Sequence, residues 1–88
     1  MEEKKLIDLG FERTDVTAKE SGHKDDWHYY TYDFGNGSFS LISPASNDVD
    51  DEWYVEVFED PTIKIYHSDD LNNLINIINR NSDRWYEI

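Results

Sequence analysis

Asp48, Asp50 and Glu52 alternate along residues 47–52, and Glu56, Glu59 and Asp60 carry the negative run onward. In an extended segment, side chains two apart project to the same side at a spacing of about 6.6 to 6.8 Å. The three alternating carboxylates then form a row of fixed charge. Two kinds of chemistry use such a row. Carboxylate oxygens are ligands for hard cations such as calcium. A row of anions also resembles the phosphates of a nucleic acid, and could occupy the basic cleft of a nucleic-acid-handling protein. Calcium fits poorly: counting from Asp48, an EF-hand loop needs Gly at the sixth position, where Trp53 stands, although Glu59 supplies the acid at the twelfth. The plainest alternative to mimicry is a solvated acidic loop that keeps the protein in solution.

Nothing else in the chain announces catalysis. His23, His28 and His67 are scattered without a paired helical spacing or an adjacent carboxylate motif. Ser21-Gly22-His23 is a loop triplet, and activating a serine needs a geometry that such a triplet does not imply. His28 is expected at the end of a core face beside Tyr30, as a hydrogen-bonded structural histidine. No phosphate-binding glycine loop, dinucleotide fingerprint or zinc-hydrolase helix is present. Among twenty acids, choosing any one pair as catalytic is uninformative. The expectation is a non-enzymatic protein with no catalytic residues, no metal ligands and no cofactor.

Composition points to the partner's charge. From Asp25 to Ile63 the chain carries ten carboxylates and no Lys or Arg, together with most of its aromatic side chains. Solvated acidic tails lack aromatics, so a segment rich in both can fold and display charge from a rigid surface. Twenty acidic against eight basic residues leave a net charge of −12, which disfavours direct binding to nucleic acid or an anionic membrane and favours a basic protein surface. The cations lie at the ends, at Lys4, Lys5, Arg13, Lys19 and Lys24 and again at Lys64, Arg80 and Arg84. Without cysteine there is no disulfide framework. No signal-like apolar stretch follows Met1 to Lys5 and no run approaches the roughly 20 apolar residues of a membrane span, so a cytoplasmic location is expected. The length of 88 residues predicts one domain over 1–88, and a chain of this size buries only roughly 60 to 65% of its unfolded surface.

The elements that must position these residues can be read from periodicity. Glu2 to Leu9 predicts a short helix with apolar Leu6, Ile7 and Leu9, capped at Gly10. Phe11 to Val16 predicts a first strand, although Arg13 and Asp15 share a face with Phe11. Thr17 to Asp26 reads as a surface loop. Trp27 to Phe34 and Ser38 to Ser43 flank Asn36-Gly37, the strongest local hairpin signal. A two-residue turn there pairs Phe34 with Phe39, Tyr32 with Leu41 and Tyr30 with Ser43. A one-residue slip would turn apolar residues outward. Ala45 to Glu52 is a polar loop and Trp53 to Phe58 a strand, with Trp53, Val55 and Val57 inward. After a turn at Glu59-Asp60-Pro61, residues Thr62 to His67 are expected to return. Val57 then pairs with Ile63, Val55 with Ile65, Glu56 with Lys64 and Tyr54 with Tyr66. Ser68 caps a helix over Asp69 to Asn79 with Leu71, Leu74, Ile75 and Ile78 as its apolar stripe. The end of the chain, Trp85 to Ile88, is apolar enough to add a strand or cover an edge.

The fold class is therefore α+β: an antiparallel sheet of four to five strands with a C-terminal helix, and a short N-terminal helix, packed on it. The same alternation turns Trp27, Tyr29, Ile42, Tyr54, Phe58 and Tyr66 to the other face of the sheet. The simpler account covers them with the first helix or the C-terminal tail. The functional account makes them a contact surface, because Tyr and Trp are enriched at interface hot spots. In size and charge the chain is similar to several small inhibitor and immunity proteins that bind nucleases or other nucleic-acid enzymes, a likeness of composition that carries no residue across. The functional expectation is an acidic protein-binding module, an inhibitor by nucleic-acid mimicry in its most concrete form, which contacts its partner through Asp48, Asp50, Glu52, Glu56, Trp27, Tyr29, Tyr54 and Tyr66. The alternative is a structural protein that self-associates through the aromatic face or a strand edge.

Overall fold

Period-two alternation and helical stripes resolve into eight elements and a single-turn 3₁₀ segment in the computed structural model, which describes residues 1–22, 24–34 and 39–80. In chain order they are α1 (Glu3–Asp8), β1 (Glu12–Val16), α2 (Ala18–Ser21), β2 (Trp27–Asp33), β3 (Ser40–Ile42), the 3₁₀ turn Ser46–Asp48, β4 (Val55–Val57), β5 (Asp60–Ile65) and α3 (Ser68–Arg80). The strands form one antiparallel sheet in the order β1-β2-β3-β4-β5. The class is α+β. No helix among the described residues is long and apolar enough to cross a membrane.

The central hairpin has the expected register. Tyr32 lies opposite Leu41, Thr31 opposite Ile42 and Asp33 opposite Ser40. The Ser43 N–H donates to the Tyr30 carbonyl at 2.9 Å, and the Phe34 and Phe39 rings meet at 4.9 Å. Residues 35–38, where the turn was expected, lie outside the described residues. So does the apolar end of the chain beyond Arg80.

The β4–β5 pair follows expectation at Val55–Ile65 and Glu56–Lys64 and then departs from it. Val57 pairs with Asp60 rather than Ile63, across a register shift after Glu56. Pro61 has no N–H to donate to a ladder. Asp60 instead accepts from the Thr62 N–H at 3.2 Å and the Thr62 hydroxyl at 2.6 Å. Pro61, Thr62 and Ile63 are left out of the pairing, and Ile63, expected inside, is half-exposed. A second departure falls in the expected loop Thr17 to Asp26, which contains α2. There the Thr17 Oγ1 accepts from the Glu20 N–H, Asp26 accepts from the Ala18 N–H at 2.7 Å, and Gly22 ends the helix at φ +77°.

Leu6 of α1, Tyr30 of β2, Leu41 of β3, Val55 of β4 and Leu71 of α3 are fully buried, joined by Phe11, Phe34, Ile75 and Ile78. Both α1 and α3 therefore pack on the same face of the sheet. This settles which face α1 covers: it does not screen the outward aromatics. The stripe of α3 runs as expected, with Leu74 partly buried against the core. In α1 only Leu6 is buried, while Ile7 is exposed, and the chain leaves the helix through Gly10 at φ +95°, where a side chain would be strained.

Six residues are too few for a helix to stand alone, and α1 has no side-chain cap at Glu2. Burying Leu6 contributes about 1.5 to 3 kcal/mol. The rest of its anchorage is polar. The Glu3 carboxylate accepts hydrogen bonds from the Tyr30 hydroxyl and from His28 Nε2, each at 2.6 Å. His28 stacks on Trp53 at 5.7 Å and meets Tyr30 edge-on at 5.6 Å, which is the structural role expected of it. Met1 and Trp53 exchange backbone bonds of 2.8 and 2.9 Å. One carboxylate thus ties α1 to the middle of the sheet. The Tyr30 hydroxyl's hydrogen bond holds the Glu3 carboxyl below its ordinary range, against the opposing effect of burial and with further help from His28. Burial, and then the bond to Glu3, push the Tyr30 phenol above its own.

Two predictions follow from this balance of charge and anchorage. With Glu3 lowered in the folded state, its contribution is present above the unfolded value of about 4.3 and is lost as pH falls through the folded value. Glu3→Gln should cost about 1 kcal/mol in urea unfolding at pH 7, below the roughly 1.5 to 3 kcal/mol of a charged hydrogen bond because the carboxylate is partly exposed and the amide keeps an acceptor. The gap between wild type and variant should shrink below about pH 4; a gap that stays constant would mean that Glu3 does not titrate against the fold. The second concerns the whole chain. Since carboxylates far outnumber cations, the melting temperature should rise between ionic strengths of about 10 and 150 mM as the screening length contracts from about 30 to 8 Å. A fall would show that attraction within pairs outweighs the repulsion.

The acidic turn and the outer sheet face as candidate functional site

Register assigns one side of the sheet to the core and the other to Thr14 and Val16, Trp27, Tyr29, Thr31 and Asp33, Ser40 and Ile42, Glu56 and Lys64. Tyr54, Phe58 and Tyr66 continue this side beyond the strand ends. Phe58 is 63% exposed and Tyr66 49%, while Trp27, Tyr29, Ile42 and Tyr54 are half-buried. Two hollows mark the face. One, of about 250 Å³, is lined by Tyr29, Thr31, Asp33, Ser40, Leu41, Ile42 and Phe58. The other, of about 560 Å³, is lined by Asp48, Val49, Asp50, Asp51, Glu52, Tyr54 and Tyr66.

The acidic segment is not an extended strand. Asp48 closes a 3₁₀ turn by donating its N–H to the Ala45 carbonyl at 2.9 Å, and the chain bends again at Asp50 and Asp51. Alternation in sequence therefore does not become a straight row in space. The turn is seated by the His28 N–H, which donates to the Ser46 Oγ at 3.0 Å, and its far end by the backbone bonds between Trp53 and Met1. Held at both ends, the segment curves. Asp48, Asp50, Asp51 and Glu52 are all exposed around the hollow. Asp48, Asp50 and Asp51 make no ion pair among the described residues, and the Glu52 Oε2 lies 3.9 Å from the Met1 nitrogen.

Glu56 has a different fate from the one expected of a member of the negative band. Its Oε2 bonds the Lys64 Nζ at 2.6 Å across the β4–β5 pair. Lys64 also donates to the Pro61 carbonyl at 2.9 Å and lies 5.6 Å from the centroid of the Tyr54 ring. The bond to Glu56 raises the Lys64 ammonium above its ordinary range. Much of the Glu56 charge is thereby neutralised within the chain. The Tyr54 and Tyr66 rings meet at 5.3 Å, as the cross-strand pairing predicts.

The structure thus gathers Asp48, Asp50, Glu52, Tyr54 and Tyr66 around one hollow and sets Tyr29 in the other. Trp27 packs on Tyr29 at 5.8 Å, opposite Val16 of β1, and lines neither hollow. Three further residues belong with these: Asp51 beside the acids, and Ile42 and Phe58 beside Tyr29. For Ile42 and Phe58 the signal was strand parity. For Asp51 there was none, because alternation excluded it and only the bend brings it round.

Chemically, exposed carboxylates beside two phenol rings suit an organic cation, since carboxylates accept charge-assisted hydrogen bonds and ring faces attract cationic groups. Among the described residues, no group of three or more His, Asp or Glu side chains is placed to hold a metal ion. Comparisons with protein-family models, curated proteins and solved structures gave no match, so the reading of this site rests on the chain's own geometry.

Proposed function

We propose that the chain is a non-enzymatic protein-binding module that offers its acidic hollow to a basic surface of another protein. In its most concrete form it is an inhibitor that occupies a basic cleft in place of nucleic acid. The observation that carries this reading is the set of four exposed carboxylates around one hollow walled by Tyr54 and Tyr66, with the nearby Lys64 already engaged by Glu56. Like charges gathered on one side repel one another, so placing them there costs stability and a cationic partner would relieve it. Curvature alters the form of the mimicry. Acids wrapped around a hollow reproduce the charge density of a nucleic acid rather than the regular spacing of its phosphates, which suits a partner that engages through lysine and arginine rather than through base-edge readout. With a net charge of −12 the chain itself is a poor ligand for nucleic acid or an anionic membrane.

A second reading, self-association through the outer face, draws on the exposure of Phe58 and Tyr66. The two readings place their energy in different residues. A tagged pull-down from nuclease-treated lysate, eluted by a salt step, should release a basic nucleic-acid enzyme. The triple variant D48K/D50K/E52K should lose that capture while keeping its thermal unfolding transition, and retained capture would overturn the acidic hollow as the contact. Under self-association, only the protein itself would be recovered, and double substitution of Tyr29 and Tyr54 to Ser would convert an oligomer to a monomer in sedimentation. A wild-type chain that stays monomeric at high concentration ends that second reading.

A further inference from the structure

We infer that the outer sheet face is a two-point dock for an extended segment of a basic partner, one that carries a cationic side chain and, four residues away, an apolar one. This deepens the binding reading and rests on it for the sign of the partner's charge. The two hollows share a strand axis: Tyr54, Glu56 and Phe58 alternate along β4 and its flanks, with Tyr54 walling the acidic hollow and Phe58 the apolar side of the other, across from Thr31, Asp33 and Ser40. Four residues of strand span at most about 13 Å, so an extended ligand meets both hollows with side chains at positions i and i+4, which point the same way. Between them the Glu56–Lys64 pair is internally satisfied and asks nothing of the ligand.

Charge complementarity selects the first of the two anchors. The chain already rests one ammonium, that of Lys64, near the Tyr54 ring with a carboxylate beside it, which shows the kind of group this aromatic pair accommodates. Tyr66 is half-exposed next to four carboxylates. Arginine fits there better than lysine, because its planar guanidinium both stacks on a ring and bonds carboxylates with two donors. The second anchor is selected by the Tyr29, Ile42 and Phe58 side chains of the other hollow, where Asp33 and Ser40 already bond each other at 2.5 Å. An aliphatic or aromatic side chain fits that wall.

The test is an NMR titration of the full chain with three synthetic peptides of equal length and net charge on a Thr-rich background. In one, Arg and Leu stand four apart; in the second, two apart; in the third, Leu is replaced by Ser. The first should bind at least tenfold more tightly than the others and shift resonances of Phe58 and Tyr29 together with those of Asp50 and Glu52. Phe58→Ser, at an exposed side chain, should remove that tenfold advantage without weakening the third peptide. Equal binding of all three peptides would overturn the two-point dock and leave the acidic hollow standing, whereas unchanged binding to D48K/D50K/E52K would sink the acidic reading itself. A dimer that Phe58→Ser dissociates would assign the face to a second copy, and tighter binding by Trp85→Ala would assign it to the chain's own residues 81–88. Either result overturns the proposal.

Discussion

The hydrogen bond from the Tyr30 hydroxyl to the Glu3 carboxylate is the contact on which the arrangement of the molecule turns. Tyr30 sits where the sheet is most connected: it lies opposite Arg13 of β1, its carbonyl takes the Ser43 N–H, its own N–H donates to the Ser43 hydroxyl, and its ring is fully buried. Its one polar atom would be costly to bury unpaired. Glu3 resolves that cost and in doing so draws α1 onto the core face. Once α1 is there, its Leu6 completes the core and Met1 reaches Trp53, which anchors the end of the acidic segment. The position of the exposed carboxylates thus descends from a carboxylate that is not free.

That chain of contacts also explains how a molecule with so large an excess of acid folds with so thin a core. Stability at this size is on the order of 4 to 13 kcal/mol, and repulsion among carboxylates subtracts from it. Glu3 is the acid turned toward the sheet, where it satisfies two donors. Glu56 is matched by Lys64 across the strands, and Glu59 accepts from the Ser40 N–H at 2.8 Å. Asp48, Asp50 and Asp51, which make no ion pair among the described residues, are placed on a curved turn at the rim, where water screens them. The distribution separates carboxylates that hold the structure from carboxylates that define its surface.

What could be read from the residues alone follows the same division. The β2–β3 register was legible because alternation is strict there and a slip of one residue would have exposed Tyr32, Phe34 and Leu41 together. The stripe of α3 was legible for the same reason. The β4–β5 pairing was legible only as far as Glu56, since the shift beyond it depends on Pro61 lacking a donor and on Asp60 bonding Thr62, local effects that a face-matching argument does not weigh. The helix α2 begins on a Thr17 cap that accepts from the Glu20 N–H, a local spacing that a reading by polar composition passes over. The face taken by α1 was not legible. Leu6, Ile7 and Leu9 do not choose between the two sides of a sheet, and the choice is made by a polar contact spanning 27 residues, to which periodicity is blind.

The candidate site was legible as a set of residues and not as a shape. Parity correctly separated Tyr29, Tyr54 and Tyr66 from the core, but it also implied a straight line of acids, and the line is bent by the Ser46–Asp48 turn. Bending has a chemical consequence. A straight row addresses a partner in one dimension and any regularly spaced set of cations would satisfy it, whereas a hollow admits a side chain and so discriminates by its size and by the groups beside it. The Tyr29, Ile42 and Phe58 side chains of the second hollow lie toward the other end of the same strand, so on the proposed reading charge alone would not describe the ligand. On that reading, long-range attraction would set how fast a basic protein arrives, and the pair of hollows would set which basic protein stays.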